Sequence, residues 1–134
     1  MEYRKSYKGF ILWVLFFFIS CFFTTFLKDL TENFILRLIL NICTISITLL
    51  NYVIYKTEYV YWYTGTTYEE AKEAGSKRRK EFAYKHLKVF GRLAACYFVV
   101  SLITYFFNIT YVVDLIFVLF GMIWSAISTI KFKL

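Results

Sequence analysis

The chain has 134 residues, a formal net charge of +7 and a composition that is 60% hydrophobic and 23% aromatic. A soluble domain of this size needs far more polar surface to cover its core, so these figures exclude an ordinary soluble fold and point to a lipid environment. Cys21, Cys43 and Cys96 all lie inside apolar stretches without a CxxC spacing and read as small buried hydrophobes rather than a thiol-redox pair.

The apolar residues form four runs, 10–27, 34–55, 87–107 and 111–130. Each is close to the roughly 20 residues that carry a helix across a bilayer core. The runs are continuous rather than alternating, which selects helices over a closed barrel. The expected fold is all-α: an integral membrane four-helix bundle of two helical hairpins, one membrane domain over 1–134, with a basic cytoplasmic helical loop over about 56–86. No proline is present to break a helix.

Arg4, Lys5 and Lys8 precede the first run in the manner of a signal peptide. The run is of spanning length and lacks a small-x-small exit, so an uncleaved first helix is expected, with Ser20, Thr24 and Lys28 on one face. Nine of the sixteen Lys and Arg residues lie between Lys56 and Arg92, and Arg4, Lys5, Lys8, Lys131 and Lys133 lie at the two ends. Only Lys28 and Arg37 fall on the opposite side. The positive-inside rule then predicts a multi-pass protein of the cytoplasmic membrane with both termini in the cytoplasm.

In the second run Arg37, Asn41, Thr44, Thr48, Asn51 and Tyr55 recur at steps of three and four, which puts them on one helix face. Lipid cannot satisfy these groups, so the face must meet other helices or a wet cavity. Beyond it Tyr52, Tyr55, Tyr59, Tyr61, Trp62 and Tyr63 crowd the cytoplasmic exit and, with Trp13, are expected as headgroup anchors.

In the loop, Thr67 and Glu70 have the spacing of a capping box, Gly75 suits a helix stop and Ser76 a new helix cap. A basic helix is expected to run from Lys77 into the third span. Its Lys77, Arg78, Arg79, Lys80, Lys85, Lys88 and Arg92 would meet anionic lipid headgroups or a cytoplasmic partner. Nucleic acid is not expected, because no recognition module accompanies the charge.

Tyr97, Ser101, Thr104 and Asn108 in the third run, and Asp114, Gly121, Ser125 and Ser128 in the fourth, match the polar face of the second. Interhelical hydrogen bonds of roughly 0.6–2 kcal/mol each account for such stripes; a hydrated pathway is the other use. Arg37 and Asp114 both lie one turn in from the outer boundary and are expected to pair, with charge exchange as the natural test. An offset of 77 residues aligns Asn33 with Thr110, Arg37 with Asp114 and Thr48 with Ser125, which suggests two pseudo-equivalent hairpins. Asn108-Ile109-Thr110 is a formal glycosylation sequon in a turn too tight against the membrane to be used.

Glu69 and Glu73 share a helix face, but the one histidine, His86, is distant in sequence and ringed by positive charge. No convergent acid–base, metal or cofactor set follows from these residues, so no enzyme and no cofactor is expected. The expected role is a non-enzymatic subunit or accessory partner of a larger membrane complex or homo-oligomer. The alternative is a small homo-oligomeric channel or transporter with its pathway along the second run.

Overall fold

The computed structural model describes residues 3–27 and 30–134, so Lys28 lies outside the described residues. Among these residues every regular element is helical: α1 (Lys8–Thr24), α2 (Glu32–Thr57), a single 3-10 turn (Val60–Trp62), α3 (Tyr68–Glu73), α4 (Gly75–Phe106) and α5 (Tyr111–Ile130). Three of them, α2, α4 and α5, are long and apolar enough to cross a membrane. α1 is a shorter apolar helix of 17 residues. It ends where Thr24 and Thr25 fold their hydroxyls back onto the carbonyls of Cys21 and Phe22, at 2.6 and 2.7 Å, and its last turn tightens.

α2 is the central element. It packs along α4 over the largest interface, touches α5, and carries α1 on another side, while α4 and α5 form a tight hairpin. The 77-residue offset is not carried into packing, because α1 makes no contact along α5 comparable to that of α2 along α4. The reason lies in the faces. α4 offers Gly91, Ala94 and Ser101 for close approach, whereas α1 presents bulky Phe16, Phe18, Phe22 and Phe23, all exposed. Trp13, expected in the headgroup zone, instead donates its indole N–H to the carbonyl of Ser46 at 2.7 Å and ties α1 to α2.

Helix ends follow local chemistry. Thr67 and Glu70 form the reciprocal capping box at the start of α3. Gly75, at φ +74°, turns the chain into α4. Ser76 does not cap α4; its hydroxyl donates to Glu58 Oε1 at 2.7 Å. α2 is capped by Thr31, whose side-chain oxygen accepts the N–H of Phe34. At the far end of α4, Asn108 takes the left-handed conformation (φ 51°). Its N–H donates to Tyr105 O (3.2 Å) and that of Ile109 to Thr104 O (2.9 Å), the two bonds of a Schellman stop.

A buried apolar cluster lies at the basic ends of α2 and α4. Ile54, Val60, Tyr61, Ala71, Phe82 and Ala83 are buried there, with Tyr3, Trp62, Tyr63, Tyr68 and Phe132 packed around them. Most of the tyrosines expected as headgroup anchors are therefore the core of a folded cap, although Tyr52 remains exposed. Aromatic rings bury large areas and still place their polar tips on partners, which suits a cap built from short elements.

Candidate functional site

Two polar centres stand out, one at each end of the α2–α4 interface. At the end away from the basic cap, Arg37 on α2 donates from Nε to Asp114 Oδ2 at 3.0 Å. Its Nη2 donates to the carbonyl of Thr104 at 3.2 Å and also to that of Ile109. Asp114 is fully buried and takes a second bond at Oδ1 from Thr104 Oγ1, at 2.8 Å. The arrangement joins three helices. The guanidinium sits on the carbonyls at the C-terminal end of α4, where a helix presents negative charge, and Asp114 sits in the first turn of α5, where it presents positive charge.

The rest of the α2 face continues the seam. Asn41 Nδ2 donates to Ser101 Oγ at 3.1 Å, and Thr48 Oγ1 reaches the carbonyl of Phe90 at 3.1 Å as well as its own helix. Thr44 bonds back to Asn41 O. Asn51, buried, accepts from the phenol of Tyr63 at 2.7 Å, which fixes the cap to the helix. Tyr55 packs against the cap cluster beside Tyr84. Three buried polar atoms lack a hydrogen-bond partner among the described residues: Asn41 Oδ1, Ser46 Oγ and Tyr97 OH. Asn108, placed with the polar set of the third run, is exposed and serves the helix stop instead.

The second centre is Glu58, which caps α2 in the left-handed conformation (φ 62°). Its carboxylate accepts from Arg79 Nε and Nη2 at 3.0 and 2.9 Å and lies 3.4 Å from Lys80 Nζ. Burial raises the Glu58 pKa, but the hydrogen bonds from Ser76 and Arg79, with the cationic charge beside them, outweigh it and hold it below its ordinary value. Arg79 also donates to Ala71 O at 3.0 Å and lies 4.1 Å from the ring centre of Tyr3. The amino-terminal segment is latched on top. Tyr61 OH donates to Ser6 O at 2.7 Å, Tyr3 OH donates to Glu58 O at 2.8 Å, and Tyr68 OH donates to Tyr3 O at 2.5 Å.

The seven basic residues of 77–92 separate by environment. Arg79 is turned inward, buried and paired, so it is not available to lipid or a partner. Arg78 donates to Leu134 O, Lys85 pairs with Glu81 at 3.1 Å, and Lys80 leans on Glu58. Lys77 is exposed, Lys88 lies over the ring of Tyr84, and Arg92 is exposed beside a groove between α4 and α5. His86 is buried against Tyr63, stacked at 4.1 Å between ring centres, with Phe82 and Phe132 alongside. Burial lowers its pKa, against a smaller opposing effect of the Phe82 carbonyl. Glu69 and Glu73 are both exposed on α3.

Glu58 and Tyr3 are the residues that sequence reasoning missed. Glu58 carried one usable signal: a lone acid directly after a helix and ahead of a cluster of cations. Tyr3 had none, since its partners lie 55 or more residues away. No protein-family model, curated protein or solved structure matches this chain.

Proposed function

We propose that this is a multi-pass protein of the cytoplasmic membrane, a four-helix bundle in which α1 joins α2, α4 and α5 as the fourth span. It acts without chemistry of its own, as a subunit or accessory partner of a larger membrane complex or homo-oligomer. Both termini and the folded cap face the cytoplasm, in accord with the concentration of positive charge there. The observation that carries the reading is that most of the α2 polar face is engaged by residues of the same chain. Arg37, Asn41, Thr48 and Asn51 all bond to groups on α4, on α5 or in the cap. Polar groups used in this way hold helices together, and what remains for outside contact is apolar helix surface and the basic band. Purification in mild detergent from native membranes tests it: a stoichiometric protein partner or a homo-oligomer is the expected result, and a monomer with no partner overturns it.

A channel or transporter is the second reading, favoured by the unpartnered Asn41 Oδ1, Ser46 Oγ and Tyr97 OH, because buried polar atoms without protein partners are places for ordered water. Asn41→Leu with Asn51→Leu should then abolish flux in reconstituted vesicles while leaving assembly intact.

A further inference from the structure

Arg37 and Arg92 both sit on apolar stretches of long helices, and their surroundings differ. Arg37 is neutralised by Asp114 and two carbonyls. Arg92 has no hydrogen-bond or ion-pair partner among the described residues. It lies fourteen residues before Phe106, so at about 1.5 Å per residue its Cα stands about 21 Å from that end of α4. That is inside a hydrocarbon core about 30 Å thick, with the headgroup zone within reach of a long side chain. Ser125 stands at the same height on α5, fourteen residues after Tyr111.

At that level a groove of about 460 Å³ runs along the two helices, lined by Val89, Leu93, Phe117, Trp124, Ser125 and Arg92, among others. Trp124 is 74% exposed along its rim. The groove is mostly apolar, with Arg92, Ser125 and Ser128 toward its cytoplasmic end. Lys88, one turn nearer the cytoplasm, is also exposed.

Resting on the membrane-spanning reading above, we infer that this groove binds one anionic glycerophospholipid, its phosphate on Arg92 and an acyl chain along Leu93, Phe117 and Trp124. An unpaired guanidinium at this depth calls for an anion. A second copy of the chain cannot supply one at that height. Asp114 is the acid within the three long apolar stretches past Glu32, and it is buried and committed at the opposite end. A phospholipid brings its phosphate to the right level and its chain to the apolar walls, and the planar guanidinium can hold two phosphate oxygens at once.

The test is native mass spectrometry of the full chain from mixed micelles loaded with equal phosphatidylglycerol and phosphatidylcholine. The wild type should retain one phosphatidylglycerol with about five-fold preference, the value of one cation near the surface. Arg92→Gln should bring the ratio to unity at unchanged helix content, whereas Arg92→Lys and the control Lys85→Gln keep most of it. A ratio that survives Arg92→Gln, or is already unity in the wild type, overturns the site. So does a polypeptide held through Arg92 in place of lipid. Co-flotation with neutral vesicles separates the two levels of failure. A chain that stays in the aqueous phase overturns membrane spanning and the site together, while one that floats and shows a ratio of unity overturns the site alone.

Discussion

Removal of Asp114 is the sharpest perturbation of the α2–α4–α5 junction. Asp114→Ala takes the acceptor from Arg37 Nε and from Thr104 Oγ1 at once. Arg37 cannot shed its charge, and its remaining partners are two carbonyls. The expected cost is that of breaking a buried pair from one side, about 3–5 kcal/mol. Arg37→Leu should cost less, about 2–3 kcal/mol, because Asp114 keeps the Thr104 hydroxyl as a donor and its favourable place in the first turn of α5. The double variant Arg37→Leu/Asp114→Leu leaves no buried charge, and Thr104 O keeps the N–H of Ile109; about 1–2 kcal/mol is expected. The coupling energy is then about 3 kcal/mol or more, well above the few tenths seen for independent sites. Unfolding by SDS in mixed micelles, followed by tryptophan fluorescence and helix content, measures all three. Additive single costs would refute the coupling. The exchange Arg37→Asp/Asp114→Arg, a natural test of a simple ion pair, is here expected to fail. It sets a carboxylate against the Thr104 and Ile109 carbonyls and a cation at the positive end of α5, both with the wrong sign for the helix dipoles. Rescue by exchange would show that the carbonyl contacts do not matter.

Other consequences can be measured in the same way. A Cβ on Gly91 would meet nothing nearer than Thr48 Cγ2 at 3.8 Å, so Gly91→Ala should stabilise by about 0.5–1 kcal/mol. On Gly121 it would fall 2.4 Å from Leu93 Cδ1, so Gly121→Val should destabilise by about 1–3 kcal/mol; similar effects at the two positions would refute the packing argument. Asn108→Val should cost about 1–2 kcal/mol through its left-handed backbone, while Asn108→Gly is tolerated, both read from the unfolding midpoint. The cap should loosen in acid in two stages, visible in near-ultraviolet circular dichroism. His86 has a lowered folded pKa, so the unfolded cap takes up the proton first; stability falls as pH drops through 6.5 and levels off below the folded value, and His86→Phe removes this stage. Glu58 also has a lowered folded pKa, so its contribution is present above 4.5 and lost as pH falls through the folded value; a cap unchanged down to that range would refute the Glu58–Arg79 assignment.

What could be read in the sequence was whatever depends on period and local chemistry. The steps of three and four in Arg37, Asn41, Thr44, Thr48 and Asn51 placed them on one face, and the structure brings that face onto α4. The Thr67–Glu70 spacing gave the α3 cap, and the absence of a breaker let α4 run from the cap into its apolar half. What could not be read depends on distant contacts. Trp13 and the Tyr59–Tyr63 crowd have the composition of interface anchors, and only the approach of Ser46, Tyr3 and Ser6 makes them tie points. Ser76 precedes a helix, as a cap residue does, but Glu58 lies close enough to accept its hydrogen bond instead. Arg79 looks like its neighbours in a basic run; its inward position follows from Glu58 and Ala71, neither of them local on the helix.

The distribution of partners along the basic stretch bears on what it meets. Within the long apolar helices, Arg37 and Asp114 cancel, so the charge that can act at a distance lies elsewhere. At the cap end most cations of the stretch are answered: Arg79 and Lys80 by Glu58, Lys85 by Glu81, and Arg78 by a carbonyl of the carboxy terminus, while Lys77 is exposed. Toward the apolar half of α4 the answers run out. Lys88 has only the ring of Tyr84 and Arg92 has no partner, while Glu81, the last acid before them, is committed to Lys85. On the proposed topology a soluble acidic partner would approach from the cap end, where the field is already partly quenched and screening acts within about 8 Å, and anionic headgroups would lie near Lys88 and Arg92. The pairing pattern supports the proposed lipid contact of the basic helix over a soluble partner, through Lys88 and Arg92 in particular.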